Sequence, residues 1–280
     1  MNFTEAALVF PVAGERLLGI VARPDSPRDC AVLLVVGGPQ YRVGSHRQFL
    51  LLSRRLAAAG YPVMRFDYRG MGDSGGAVRS FDAVGEDIGA AIDAFLEACP
   101  GVRRIVLWGL CDAASAALLH VQASRDPRIA GLVLLNPWVR SEASLAQTHI
   151  KHYYGQRLLQ RAFWVKLLSG KMQIVRSLRG LLDNAMLARG TDSPRQSRSF
   201  QDLMAEGWRQ FDGEVLLILS GQDYTAKEFL EYVASDAAWS GVLDSRKLSR
   251  VDVADADHTF SSEALRSRVE NETLKWLATL

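Results

Sequence analysis

A chain of 280 residues, 48% hydrophobic and 23% charged, is long enough to bury a sizeable core and too evenly mixed to be a disordered chain. Lys and Arg number 33 against 31 Asp and Glu, so the formal net charge of +2 gives no electrostatic reason to expect a nucleic-acid partner. The three cysteines, Cys30, Cys99 and Cys111, lack metal-ligand spacing and suit a reducing compartment better than a disulfide framework.

The chain starts without a basic segment and apolar run, so no signal peptide is expected. No uncharged apolar stretch approaches the length of a membrane span. The expectation is a soluble cytoplasmic protein. Residues 5–11 and 16–23 read as a hairpin turned at Ala13-Gly14-Glu15. Short apolar runs follow at 30–36, 62–66, 104–108, 131–135 and 214–219, with a last candidate strand at about 246–253. Continuous apolar runs of this length suit parallel strands buried on both faces. Segments 47–59, 82–98, 112–124 and 262–280 carry helical patterns, and Ser80 or Asp82 suits the cap of the second. Alternating strands and helices predict an α/β fold: a mostly parallel central sheet with helices on both faces.

One segment breaks the alternation. Residues 140–200 hold eleven Lys or Arg against three acids, interleaved with apolar residues such as Leu158, Phe163, Trp164 and Leu182 at helical spacing. This predicts a helical cap inserted at about 139–200 into a core made of 1–138 and 201–280. Residues 191–199 read as the return from it.

The strongest local signal is WGLCDAAS, 108–115, where a strand turns into a helix. A nucleophile there is lifted above the sheet on a sharp turn, and small neighbours let helix and strand approach. Gly109 and Ala113 meet that need around Cys111. The helix N-terminus favours a thiolate at Cys111, and Asp112 opposes it. A buried structural cysteine at a tight turn is the plainer reading. Asp223, in SGQDYT just past a strand, and His258, in ADADHTF before the last helix, supply an acid and a base in the order this arrangement requires. Asp223 also suits a helix cap, while Asp252, Asp255 and Asp257 compete for the role of orienting His258.

An oxyanion needs two backbone N–H donors. The residue after the nucleophile, Asp112, is one. The turn VGGPQ, 36–40, is the expected source of the other. Gly37 and Gly38 allow close approach, Pro39 has no N–H, and Gln40 is the expected donor. Gly38, Trp138, His149 and His152 are candidate substrate contacts. FDYRGMGDSGG, 66–76, reads as a structural turn at the same edge of the sheet.

With GGPQ at 37–40, DYRGMGDSGG at 67–76, GLCDA at 109–113, GQD at 221–223 and DHTF at 257–260, the chain resembles the α/β-hydrolase superfamily. Within it, GGPQYRVGSHRQF at 37–49 and the cysteine at the elbow resemble the exosortase A system-associated hydrolases of type 1, bacterial proteins encoded beside an exosortase and exopolysaccharide-linked sorting machinery. The resemblance implies a hydrolase or acyltransferase without an established substrate. The chain departs from the common pattern at Val36, where many members have His, at Cys111 for Ser, and at Ala113 for Gly. The expected chemistry is attack by Cys111 on an acyl ester or thioester. The expected partners are a small acyl substrate, coenzyme A or acyl carrier protein, and a membrane surface met through the basic cap. No cofactor or metal is expected. A lactone hydrolase, an aminopeptidase-like hydrolase and a non-catalytic scaffold remain open alternatives.

Overall fold

β1 (Phe3–Val12) and β2 (Glu15–Pro24) form the expected antiparallel hairpin. Val12 pairs with Glu15, so the turn is two residues long, Ala13 and Gly14, with φ of 48° and 85°. Turns with two positive φ angles match the twist of the strands they join. The computed structural model describes residues 2–38, 40–140 and 198–280.

The other strands are β3 (Cys30–Val35), β4 (Val63–Phe66), β5 (Arg104–Leu110), β6 (Ile129–Leu135), β7 (Glu214–Ser220) and β8 (Leu248–Val253). The sheet order is β1-β2-β4-β3-β5-β6-β7-β8. β1, β2 and β4 pair antiparallel, and the pairs from β4 to β8 are parallel. All of β3 and β4 is buried, as the unbroken apolar runs predict.

Alternate side chains of these strands feed two apolar layers. Leu33, Val35 and Leu107 pack with Ile88 and Phe95 of α2 (Gly85–Ala98), Leu118 of α3 (Asp112–Ser124), Trp208 of α4 (Phe200–Gln210) and Phe229 of α5 (Tyr224–Ser235). Val32, Leu34 and Trp108 pack with Phe49 and Leu56 of α1 (Gln48–Ala58) and with Trp276 of α6 (Glu263–Leu277). Each fully buried aliphatic or aromatic side chain contributes about 1.5–3 kcal/mol, so the two layers supply the main driving force.

Two local readings change. The helix expected from residue 82 begins at Gly85, after a 3-10 turn at Phe81–Ala83, and neither Ser80 nor Asp82 caps it. Ser80 instead bonds the Asp82 carboxylate. The apolar spacing of 200–210 forms α4, opened by a capping box between Ser199 and Asp202. The sequence-based pattern missed α4 because the Ser-rich residues before it read as a loop, although they include its cap.

The chain on either side of residues 140–198 belongs to one compact unit. The helical cap expected at about 139–200 falls almost wholly outside the described residues. Among the described residues, no helix is long and apolar enough to cross a membrane.

Candidate active site

The strand order reverses around β3, which lies between β4 and β5. Loops after the neighbours β3 and β5 therefore part at their carboxyl ends and leave a crevice, the usual ligand position in an open α/β sheet. Val35 pairs with Gly109, so residues 36–44 start beside the β5–α3 turn.

Cys111 sits on that turn with φ 63° and ψ −125°. A non-glycine residue held in such a conformation costs about 1–3 kcal/mol and persists only where its surroundings fix it. Its N–H donates to the Leu135 carbonyl at 2.8 Å, and its carbonyl accepts from Ala114 at 3.1 Å and Trp138 at 3.3 Å. The turn also needs Gly109, where a Cβ would stand 2.6 Å from the Ala113 carbonyl carbon. The thiol is half-buried, and all three cysteines are free.

His258 and Asp223 meet across the loops after β8 and β7. His258 Nδ1 lies 2.8 Å from Asp223 Oδ2. The hydrogen bond that His258 donates to Asp223, then the side-chain interaction with Cys111, raises the His258 pKa to about 10 against the opposing effect of burial. Burial pushes the Asp223 carboxyl up. Its bond to His258, the His258 charge and the amides of Thr225 and Ala226 outweigh that, so it titrates below the usual carboxylate range. Two of the three competing acids are engaged elsewhere, and Asp255 is exposed. Asp252 pairs with Arg250, and Asp257 accepts from the Ser261 amide. Asp223 also caps α5 through Thr225 and Ala226, so both readings of this residue hold geometrically.

On the other side of Cys111, the loop after β3 differs from expectation. The Gln40 N–H donates to the Gly38 carbonyl at 2.8 Å, and Gln40 Oε1 accepts from the Ser45 amide at 2.9 Å. Gln40 therefore closes its own loop, and its amide is not offered to a ligand. The loop amide facing the elbow is that of Gly38, 2.9 Å from Asp112 Oδ2. Burial raises the Asp112 pKa, against the stabilising amides of Gly38, Ala113 and Asp112 itself. A cavity of about 230 Å³ adjoins Gly38 and Asp112, walled by Tyr68, Met71, Val78 and Phe81. Trp138 is fixed to the elbow through its backbone, its carbonyl accepting from Ser115 Oγ at 2.6 Å. His149 and His152 lie outside the described residues.

The model of the Alpha/beta hydrolase family matches residues 32–266. The chain belongs to that family. Its fold is similar to an esterase from Pyrococcus furiosus, at 16% identity and a TM-score of 0.66, over 99% of this chain and 91% of the other. It is also similar to the alpha/beta hydrolase GrgF from Penicillium sp. sh18, at 16% identity and a TM-score of 0.63, over 98% and 97% of the two chains. A third similar structure, Est1E from Butyrivibrio proteoclasticus with ferulic acid bound, has 15% identity and a TM-score of 0.61, over 97% and 100%. No curated protein matches the chain.

Two positioning groups of this alpha/beta hydrolase were not singled out from sequence. Asn136, fully buried at φ 44°, donates from Nδ2 to Ser220 Oγ at 2.8 Å and to the His258 carbonyl at 3.3 Å. It ties the His258 loop to the ends of β6 and β7. The signal was an Asn at the end of an apolar strand. Asp67, also buried, accepts the Arg42 amide at 2.6 Å, the Arg42 guanidinium and the Asp73 amide at 3.1 Å. It thus joins the loop after β3 to the loop after β4, beyond the turn-forming role read from its motif.

Proposed function

We propose that this protein transfers acyl groups from esters or thioesters, to water or to another acceptor, through a thiol nucleophile at Cys111. The observation that carries the reading is the line of side chains at one sheet edge: Asp223 bonded to His258 Nδ1, with Cys111 interacting with the same imidazole. Asp223 holds the ring orientation and stabilises the imidazolium. His258 takes the thiol proton before substrate arrives, since a pKa raised to about 10 keeps the ring as the imidazolium, and the thiolate attacks the acyl carbonyl carbon. The C–S bond forms as the carbonyl π pair moves to oxygen. That oxyanion is met by the Asp112 amide and, across the crevice, by the Gly38 amide in place of the expected Gln40. Collapse expels the alcohol or thiol, which takes the proton from His258. Water or an acceptor then releases the acyl group from sulfur, with His258 again as base.

A thioester is the favoured substrate class, because a thiolate exchanges readily with another thiol and attacks amides poorly. The exosortase setting implied by the sequence resemblance is part of the proposal. Its test is whether deleting the gene alters processing of exosortase-sorted proteins. The activity test is hydrolysis of short and long acyl-CoA thioesters and p-nitrophenyl esters by wild type, by Cys111→Ala and by iodoacetamide-treated protein. Turnover lost in both altered forms supports the reading. Equal turnover in all three overturns it.

A further inference from the structure

The anion site required by that chemistry is already filled by the chain itself. Asp112 Oδ2 accepts the Gly38 N–H at 2.9 Å. The amides of Ala113 and of Asp112 act on the same carboxylate and favour its charged form. Two of these three amides are the ones assigned above to the oxyanion. A carboxylate oxygen in their midst is a close chemical stand-in for a developing alkoxide, and the N-terminus of α3 favours negative charge there.

The fit is tight on one side and incomplete on the other. Oδ1 lies against the Gly37 backbone so closely that a Cβ on Gly37 would stand 2.2 Å from it. The same Oδ1 is buried, with no hydrogen-bond partner among the described residues. An unpaired buried carboxylate oxygen is unfavourable, so this is not the resting place of a fully satisfied helix cap. Such a side chain yields when a better acceptor arrives. Among the described residues, Tyr68, whose hydroxyl is also buried without a partner there, and His258 are the titratable groups facing it from other loops, and Cys111 adjoins it.

We infer that the Asp112 carboxylate plugs the oxyanion site, and that a substrate carbonyl must displace it from the Gly38 amide before acyl transfer begins. The consequence for rate rests on the function proposed above; occupation of the anion site does not. The plug makes Asp112 a specificity-determining residue. A large acyl substrate draws on contacts remote from the carbonyl to drive the displacement. A small activated ester has no such contacts and is turned over poorly.

The test uses the full chain as wild type and as Asp112→Ala, with Asp112→Ser in reserve should the alanine variant not fold. The first arm is thermal unfolding in sodium acetate against sodium chloride at equal ionic strength. Acetate should raise the unfolding temperature of the variant and leave wild type unmoved, because only the variant offers a vacant carboxylate-shaped site. No acetate-specific shift in either variant overturns the proposal. The second arm follows acylation of Cys111 by p-nitrophenyl acetate, read by intact mass, beside alkylation by iodoacetamide, which forms no oxyanion. Acylation should quicken about ten-fold or more, a part of the roughly hundred-fold or more that one oxyanion donor contributes, and alkylation should quicken less, through loss of the negative charge beside the thiol. Slower acylation, or equal acceleration of both reagents, overturns the plug. Acetate binding by the variant, with no acylation of either protein, leaves the plug standing and removes the proposed function instead.

Discussion

Asp223 Oδ2 bonds His258 Nδ1 at 2.8 Å while the same carboxylate caps α5 through the amides of Thr225 and Ala226. One side chain thus fixes both a helix start and the imidazole of the proposed base. The two duties separate on substitution. Asn caps a helix about as well as Asp but cannot stabilise an imidazolium. Asp223→Asn should lose about 10³-fold or more in kcat, with little change in urea unfolding. Asp223→Ala should lose the same activity and, in addition, about 1 kcal/mol of stability from the cap. A kcat unchanged in the Asn variant would remove Asp223 from the mechanism.

His258 carries a pKa of about 10 in the fold against 6.5 for the unperturbed group. The imidazolium is therefore stabilised by folding. That contribution is complete below about pH 6.5 and is lost as the pH rises through about 10. Wild type should lose its stability advantage over His258→Gln between these limits, as measured by denaturant unfolding at pH 6 and pH 10.5. An NMR titration of the His258 ring checks the cause. In Cys111→Ala the midpoint should fall, because the interaction with the cysteine is gone, yet remain above 6.5 through Asp223.

The loop amide of Gly38 depends on a charge pair several residues away. The Asp67 side chain is fully buried and Arg42 is 12% exposed, so removing Asp67 takes away the buried partner of the guanidinium and leaves it only the exposed Asp73 carboxylate. Asp67→Ala should cost about 3–5 kcal/mol and loosen the loop after β3. Urea unfolding measures the first effect. A fall in kcat that exceeds the rise in KM would register the second.

Gly109→Ala tests the elbow itself. Its new Cβ would stand 2.6 Å from the Ala113 carbonyl carbon, which is backbone and has no free rotation away. Overpacking of this kind costs about 1–3 kcal/mol, and the displaced α3 should carry Cys111 away from His258. Reduced stability together with slower alkylation of Cys111 is expected from paired denaturation and labelling experiments.

Much of this arrangement is written in short-range sequence. Buried parallel strands show as unbroken apolar runs, and β3 and β7 lie within a residue of where those runs fall. Cys111, Asp223 and His258 were legible because each follows a strand, and the open edge of a parallel sheet gathers such positions. What pattern alone does not reveal is which polar groups pair with which. Gln40 was the expected donor because Pro39 has no N–H, but its amide is spent on a local turn. The Asp112 carboxylate, as distinct from its amide, reads from sequence only as a charge near the thiol, whereas it reaches across 74 positions to Gly38. Asn136 and Asp67 likewise act through long-range hydrogen bonds set by β-sheet order, and order is invisible in a single chain read end to end.

The most direct test of the account is to mix the protein with a stoichiometric acyl thioester, quench within the first turnover, and locate any added mass by peptide mapping. The account predicts an acyl group on the peptide bearing Cys111, absent in Cys111→Ala and formed more slowly in His258→Gln. Turnover that proceeds with no acyl group on Cys111, and that survives Cys111→Ala, would contradict it.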